Sequence, residues 1–482
     1  MQNKELITLI DNIVSIKSET KNIEIKKAKD GVPENLYDTF SSFSNTSGGV
    51  IIFGIDEKDN YNVCGINNPD NFQKKITEQA LMMEPKIRPI ITICNYNGKT
   101  VAACEIPELD VFSKPCYYMG KGKMKGSYIR VGDADLPMTD YEIYSFDAFK
   151  YKTEDELRSK TRIGMDILND VSINNFIEKI TSLKPNLNNL DKETILKLNG
   201  IIDNNNYPTV CGIMNFGKIP QLFSPNLDIV AVKCATNTYG VENQDGIRFL
   251  DNKRLDGTIS EMLKSAISFV ISNIKKATKI NELGVREDVF EYPIKAIREI
   301  ILNALIHRDY SIHTENDPIR LTIYDDRIEI SNPGGLYGRL SLDELGKVKA
   351  DIRNPFIASI LETLELTENR YSGIPTIYAE MEKAGLCEPK FENFRGTFKV
   401  TLYNTKKNDS LNNEFITKIK NYCKTPKSKD MIAKYFGYDS KHPSYFLNSY
   451  VMPLIEQGIL AYTIPDKPKS RYQKIYTIER YN

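Results

Sequence analysis

The stretch from Glu19 to Ile55, ETKNIEIKKAKDGVPENLYDTFSSFSNTSGGVIIFGI, decides how the N-terminal part of this chain folds. Asn22–Lys27 alternates, with Ile23 and Ile25 on one face and Glu24 and Lys26 on the other, the pattern of a half-buried strand. Leu36, Phe40 and Phe43 are spaced four and three apart, as on one face of a short helix. Gly49–Ile55, opened by Gly48-Gly49, is apolar and β-branched, as a buried strand is. Asp56 follows at once. Glu19, Glu24, Lys26 and Asp56 are then left over as polar residues that no core accounts for.

Those four residues permit one specific chemistry. Hard divalent ions such as Mg²⁺ or Mn²⁺ take oxygen ligands, and a few carboxylates suffice to hold one. Cleavage of an anionic phosphodiester needs a metal to activate water and to stabilise charge on the phosphorus oxygens. Glu24 and Lys26 share one side of a strand, and the lysine could assist where negative charge develops. Asp56 closes a buried strand, where an active-site residue is expected. The plainer alternative is a solvated Glu-x-Lys pair with a carboxylate at a strand end, and spacing alone favours it.

Around this stretch, 482 residues imply two to four domains, and 41% apolar with 27% charged residues is ordinary globular composition. Lys+Arg and Asp+Glu balance at 64 each, but from Leu411 onward twelve basic residues face six acidic ones. A basic tail is compatible with nucleic acid, though solvated lysines are the commoner reason. The eight cysteines have no zinc-knuckle spacing and read as reduced core residues. The start of the chain lacks signal-peptide character, and no apolar run approaches the roughly 20 residues of a membrane span. A cytoplasmic location is therefore expected.

Along the chain, Met1–Ser18 reads as an amphipathic helix, and Ile90–Tyr96 and Thr100–Ile106 as a hairpin turned at Asn97-Gly98. Tyr128–Val131 is a further strand, and Lys121–Gly126 a basic, glycine-bounded loop beside Arg130. The first domain closes near Lys150. In the next segment Asp191–Leu198 and Ile259–Lys276 read as helices, and Thr209–Gly217 and Leu227–Cys234 as apolar strands. Ile294–His307 is a helix opened by Pro293, with Glu299 and Asn303 four apart on one face. Arg320–Tyr324 and Arg327–Ile330 are strands, and Asn332-Pro-Gly-Gly335 a tight turn. An asparagine so placed can ligate a nucleotide-bound Mg²⁺ and a glutamate can orient water, whereas a helix face bonded to a neighbouring strand is the simpler account. After the linker Thr405–Ser410, three helices (Asn413–Cys423, one capped by Ser428, and Ser444–Gln457) precede a hairpin with a basic tip, a winged-helix pattern.

Two resemblances sharpen these readings. Ser18-Glu-Thr-x-x-Ile-Glu-Ile-Lys26, Phe43-Ser-Asn-Thr-Ser-Gly-Gly49, Phe53-Gly-Ile-Asp56 and Tyr128-Ile-Arg-Val-Gly132 resemble a Schlafen-type AlbA-2 domain over roughly the first 140 residues. The family's RNA-cleaving members use three acidic residues, which the resemblance carries onto Glu19, Glu24 and Asp56 as metal ligands and catalytic groups, with Lys26 beside them and Arg130 toward phosphate. The zinc-binding cluster of animal Schlafens is absent. Tyr292-Pro-x-x-Ala-Ile-Arg-Glu299, Asn303-Ala-Leu-Ile-His-Arg-Asp-Tyr310, Asp325–Gly335 and Arg353-Asn-Pro355 are similar to the C-terminal region of RecG-like regulators, also called divergent AAA-4 and related to the GHKL ATPase fold. This implies ATP held by Glu299, Asn303, Asn332, Gly334, Gly335 and Gly373. It departs from the GHKL pattern, in which an Asp reads the adenine amino group; here Asn332-Pro-Gly-Gly335 has no Asp. No Walker A sequence is present, so no helicase motor is implied.

The expectation is an α+β multidomain chain: an AlbA-2 domain at 1–150, a GHKL-like α/β sandwich region at 151–405 and a winged helix at 406–482. Its leading function is metal-dependent cleavage of RNA or single strands with Mg²⁺ or Mn²⁺, in phage defence or as a toxin, with weak ATPase activity at most. The alternative is an ATP-binding transcriptional regulator that binds double-stranded DNA without cutting it, and a scaffold with a docking winged helix is a third. Lys467, Lys469, Arg471 and Lys474 on the wing are the candidate phosphate contacts. Self-association into a homo-oligomer is compatible with each.

Overall fold

The computed structural model describes residues 1–18, 21–34, 36–280, 286–367, 373–406, 413–436, 446–467, 470 and 473–478. Glu19, Lys469, Arg471 and Tyr371-Ser372, which precede Gly373, lie outside the described residues. The chain divides into two compact units, 1–150 with 408–482, and 151–407.

In the first unit the elements are α1 (Asn3–Ile16), β1 (Ile23–Lys26), α2 (Tyr37–Asn45), β2 (Gly49–Phe53), β3 (Ile55–Asp56), β4 (Asn62–Val63), α3 (Pro69–Ala80), β5 (Met83–Glu84), β6 (Ile90–Tyr96), β7 (Lys99–Ile106), β8 (Tyr117–Tyr118), α4 (Gly122–Gly126), β9 (Tyr128–Val131), β10 (Ala134–Pro137) and α5 (Asp140–Tyr151). The main sheet runs β1-β2-β7-β6, with β1 parallel to β2 at one edge. Strict alternation sends Ile51, Phe53, Ala102 and Cys104 to one face, against Phe40 and Phe43 of α2 and Phe72 and Ile76 of α3. Ile25, Ile52, Val101 and Ala103 go to the other face, under Leu6, Ile10 and Ile13 of α1. Central strands buried on both faces explain the unbroken apolar run of β2. Asn97 and Gly98 take positive φ of 49° and 82°, the requirement of the tight hairpin turn between β6 and β7. The basic segment expected as a loop at Lys121–Gly126 is instead the single helical turn α4.

The second unit holds α6 (Asp170–Leu183), α7 (Lys192–Leu198), α8 (Val210–Phe216), β11 (Ile229–Cys234), β12 (Phe249–Leu255), α9 (Ile259–Asn273), β13 (Lys276–Ile280), β14 (Arg286–Phe290), α10 (Ile294–His307), β15 (Ile319–Ile323), β16 (Arg327–Pro333), α11 (Pro355–Thr363), α12 (Gly373–Lys383), β17 (Lys390–Phe394) and β18 (Thr397–Tyr403). Six strands form one sheet, β12-β11-β15-β16-β18-β17, in which only β11 and β15 are parallel. Helices α9, α10 and α12 share one hydrophobic core with it. Two expectations are corrected here. Thr209–Gly217 is not a strand: the Thr209 hydroxyl caps α8 by accepting the Gly212 N–H at 3.0 Å. All seven α8 residues are buried, so the polar period that would mark a helix is missing. Asn332 is not in a tight turn either, because β16 runs on through Pro333 and pairs Asn332 with Phe398 of β18.

The tail of the first unit contains α13 (Asn413–Tyr422), β19 (Lys427–Ser428), α14 (Lys429–Tyr435), a π-helical turn over Leu447–Val451 that runs into α15 (Met452–Glu456), β20 (Leu460–Tyr462) and β21 (Lys474–Thr477). Ser428 caps α14 through the Met431 N–H at 3.3 Å. The small sheet is ordered β19-β21-β20. Residues 437–445, where the third helix was expected to begin, lie outside the described residues.

Candidate functional sites

The first candidate site is built on β1. Its pairing with β2 sets Glu24 beside Ile51 and Lys26 beside Phe53, so both polar side chains share the α2 side of the sheet. There they are bound by one another and by Arg130. Glu24 Oε1 accepts from Lys26 Nζ at 2.5 Å, and Oε2 accepts from Arg130 Nη2 at 2.9 Å. Arg130 is only 1% exposed in its side chain and also donates to Asp135 at 2.8 Å and to the Lys21 carbonyl at 3.2 Å. Its guanidinium lies 5.0 Å from the centre of the Phe43 ring. Asp135 is itself held by the hydroxyls of Thr39 and Ser42 at 2.7 and 2.5 Å. Burial works against the Arg130 charge, but the hydrogen bonds and charges of Asp135 and Glu24 outweigh it and hold the guanidinium above its usual range. A phosphate reaches Arg130 only by displacing one of these carboxylates.

Asp56 stands apart, accepting from Lys27 Nζ at 2.8 Å and from the Lys58 N–H at 3.2 Å. The Lys27 hydrogen bond holds its carboxyl below the usual range. In the structure as it stands these carboxylates are taken up by cations. Each Glu24 oxygen faces a cation, Asp56 is paired, and among the described residues no three His, Cys, Asp or Glu side chains converge. The expected Mg²⁺ or Mn²⁺ site is therefore not formed by Glu24 and Asp56 as they stand, and Glu19 lies outside the described residues.

The Asn-Thr-x-Gly-Gly element is accounted for by packing. Asn45, 3% exposed, donates to the carbonyls of Cys116 and Tyr128, both at 2.9 Å, and accepts the Cys116 N–H at 2.6 Å. A Cβ on Gly49 would lie 2.6 Å from the Phe43 ring, and one on Gly48, at φ +69°, 2.9 Å from the Ile106 carbonyl.

The second candidate site is a cavity of about 500 Å³ in the other unit, lined by Glu299, Asn303, Asn332, Gly334, Gly335 and Gly373 together. That volume is in the range of small-molecule sites. Glu299, Asn303 and His307 recur at four-residue spacing on α10 and all face it. Gly373 opens α12 against them: a Cβ there would come 2.9 Å from Asn303 Nδ2 and 3.3 Å from Glu299 Oε2. Lys295 and Arg298 line the same end. At the other end Arg353 bridges Asp309 at 2.5 Å and the Gly335 carbonyl at 2.9 Å. Asn354 ties down the end of α10 through the carbonyls of Ile306 and Arg308, both at 2.7 Å. Asn332 is 4% exposed, yet its Oδ1 has no hydrogen-bond partner among the described residues. Desolvation, helped by the Arg353 charge, pushes the His307 imidazole down to about 4.

Of the tail residues, Lys474 lies exposed on β21 and Lys467 bonds Asp133 at 3.1 Å. Sequence reasoning passed over Lys27, Asp135 and His307. The eight-residue step from Glu299 would have exposed His307, and hairpin register would have exposed Asp135.

Three family models match parts of the chain: "Schlafen, AlbA_2" at residues 19–139, "Putative ATP-dependent DNA helicase recG C-terminal" at 316–402, and "Filamentation induced by cAMP protein Fic-like, C-terminal domain" at 425–478. Among solved structures, the DIP2311 protein from Corynebacterium diphtheriae is 18% identical, with 92% of each chain covered and a TM-score of 0.40. The N-terminal domain of a "Putative ATP-dependent DNA Helicase RecG-related Protein" from Nitrosomonas europaea is 28% identical over 29% of this chain and 95% of its own, with a TM-score of 0.24. No curated protein matches. Among the described residues, no helix is long and apolar enough to cross a membrane. The chain thus carries a Schlafen AlbA_2 domain and a RecG-type C-terminal region, a combination that points to binding of nucleic acid and of ATP.

Proposed function

We propose that this protein binds nucleic acid under the control of ATP, which occupies the cavity beside α10. One observation carries the reading: a cavity of about 500 Å³ whose wall brings Asn303 and Glu299 against the N-terminus of α12 at Gly373, with the buried, unpaired Asn332 at its other end. A helix N-terminus with a bare glycine suits phosphate oxygens, and Lys295 and Arg298 add positive charge there. Asn303 has no hydrogen-bond partner among the described residues, and Glu299 has only Arg298 at 3.3 Å. Both therefore suit a nucleotide-borne Mg²⁺, which when bound would neutralise phosphate charge. Asn303 would hold the ion and Glu299 would orient water. The basic tail, read as a winged helix with Lys467, Lys469, Arg471 and Lys474 toward phosphate, supplies the nucleic-acid contact in a regulator.

The test is calorimetric titration of the whole protein with a non-hydrolysable ATP analogue and Mg²⁺. Asn303→Ala should weaken binding at least tenfold, about 1.4 kcal/mol. Absence of binding by the wild type at millimolar analogue refutes the reading.

Metal-dependent cleavage of RNA or single strands, in defence or as a toxin, is the second reading. It is favoured by Glu24 and Asp56 lying on β1 and β3 in one domain, each beside a lysine that a phosphate could draw away. It requires Glu19 to complete the acidic set. Labelled RNA and DNA incubated with Mn²⁺ should be cut by the wild type and spared by Glu24→Ala; equal survival of all substrates ends this reading.

A further inference from the structure

We propose that the C-terminal tail holds single-stranded nucleic acid on the outer face of α13 and α14, with an unpaired base stacked on Tyr435 and phosphates on the lysines around it. This rests on the reading that the tail meets nucleic acid, and adds the surface and the kind of strand.

The starting observation is a pair of tyrosines stacked at the surface. Tyr422 ends α13 and Tyr435 ends α14. The inner faces of both helices are spent on the local core, where Ile419, Cys423, Ile432 and Ala433 are buried. On the outside the two rings lie 3.9 Å apart, centre to centre, and are inclined by only 14°. The Tyr422 hydroxyl donates to the Met431 carbonyl at 3.4 Å, which steers its ring across α14. Although Tyr422 takes one face of its ring, Tyr435 is 55% exposed, and Met431, one turn before it, is 50% exposed. Ring surface is therefore left in water on a side chain that its neighbour already holds in place, and a flat group can cover it at little cost in ordering.

The charge around the pair selects the partner. From Lys418 to Phe436 the chain has six lysines and one acid, Asp430. Among the described residues Lys420, Lys424, Lys427 and Lys434 make no ion pair. Lys427 instead sets its ammonium 5.3 Å from the centre of the Tyr422 ring. Strand register places Lys474 of β21 beside Ser428, the residue after Lys427, so the basic set extends from the tyrosines toward the hairpin.

Unpaired cations beside an exposed ring complement a ligand that carries negative charge and flat faces together. Single-stranded nucleic acid is such a ligand: its bases stack on aromatic side chains with little sequence preference while lysines follow the backbone. A duplex offers the phosphates, but the faces of its bases are covered by their own neighbours. An acidic peptide offers charge without the flat faces.

The experiment titrates labelled oligothymidylate, an abasic strand of the same length and a duplex with the whole protein, read by fluorescence anisotropy. The wild type should bind oligothymidylate about tenfold more tightly than the abasic strand, because phosphate contacts alone do not use the ring. Tyr435→Ala should lose that preference and leave the abasic strand unaffected, while Tyr435→Phe keeps it. Tyr435→Leu, which retains an apolar side chain against Tyr422, should behave as Tyr435→Ala does and separates loss of the ring from loss of packing. Lys434→Gln should lower the slope of log affinity against log salt by about 0.7 on the single strand. Equal binding of oligothymidylate and the abasic strand by the wild type overturns the proposal, as does an undiminished preference in Tyr435→Leu. Displacement of oligothymidylate by polyglutamate at equal charge also overturns it, and would make this face a site for an acidic protein. Binding of the duplex alone overturns it while sparing the parent reading. Binding of none of the three refutes that reading itself, so the two failures are told apart.

Discussion

In the AlbA-2 region, Glu24, Lys26, Arg130 and Asp135 face one another, while in the second unit Asn303 and Asn332 face a cavity. Both sets consist of polar residues that their local core does not explain. The first is made of charges, and charges buried near one another pair because an unpaired one is costly. The second sets neutral amides and glycines beside Glu299, Lys295 and Arg298 around an open volume, the setting in which a ligand can supply a missing partner. A polar cluster is therefore better read by what its atoms lack than by which residues it contains.

The largest expected effect tests the first half of that contrast. Arg130→Met leaves Asp135 without its cation and Glu24 with Lys26 alone, and breaking a buried pair from one side costs about 3–5 kcal/mol. The midpoint of the denaturant transition of the first unit should fall accordingly, while nucleotide binding by the second unit stays intact. A variant of unchanged stability that has lost nucleic-acid binding would show instead that Arg130 serves phosphate directly. The next effect tests the other half. Gly373→Ala places a methyl group against the end of the Asn303 side chain, which must move. Nucleotide affinity should drop about tenfold, near 1.4 kcal/mol, with the melting temperature little changed. A fall in stability without loss of affinity would make Gly373 a packing glycine.

Much of this was legible beforehand, for physical reasons. Helix α10 spans the residues that its period and Pro293 predict, because one of its faces is polar and lines the cavity. The strands of the first sheet were legible from alternation and turn residues. Helix α8 was not, since complete burial erases the period that separates helix from strand. At the sites, the sequence showed which residues were polar but not what covered them. Arg130 read as a phosphate contact because alternation cannot reveal that Phe43 of α2 lies over it. Its partner was within reach: the β9–β10 register pairs Arg130 with Asp135 across a short turn. Alternation puts Lys27 on the face opposite Lys26, but nothing in local spacing brings it to Asp56.

Within the second unit, acidity sets two buried groups against one another. The His307 imidazole, near 4 against an ordinary 6.5, is neutral in the fold where the unfolded chain carries a proton, so it removes stability as pH falls from about 6.5 toward 4. Glu156 behaves oppositely. Burial raises its carboxyl to about 7, against the pull of the Phe356 and Ile357 N–H groups, so it removes stability as pH rises from about 4.5 to 7. Over the shared window the two slopes, each at most about 1.4 kcal/mol per pH unit, oppose one another. Wild-type stability of the second unit should therefore look flat. His307→Gln should expose a fall in stability with rising pH, and Glu156→Gln a fall with acidification. Denaturant midpoints between pH 4.5 and 7 measure this, and a His307→Gln curve parallel to the wild type contradicts it.

The smallest effect concerns the tail, where a charge of the first kind is asked to do work of the second. Lys467 bonds Asp133, an exposed pair that contributes little to stability. The Lys467 hydrogen bond nonetheless holds Asp133 below the ordinary carboxylate range. If the tail grips nucleic acid, Lys467 must exchange Asp133 for a phosphate, and that exchange releases a counterion. Lys467→Gln should then reduce the slope of log affinity against log salt by about 0.9 on duplex DNA. Asp133→Asn, which frees the lysine, should leave the slope unchanged and strengthen binding at every salt concentration. An unaltered slope in Lys467→Gln would class this lysine with Lys26, as a cation whose partner is its own domain.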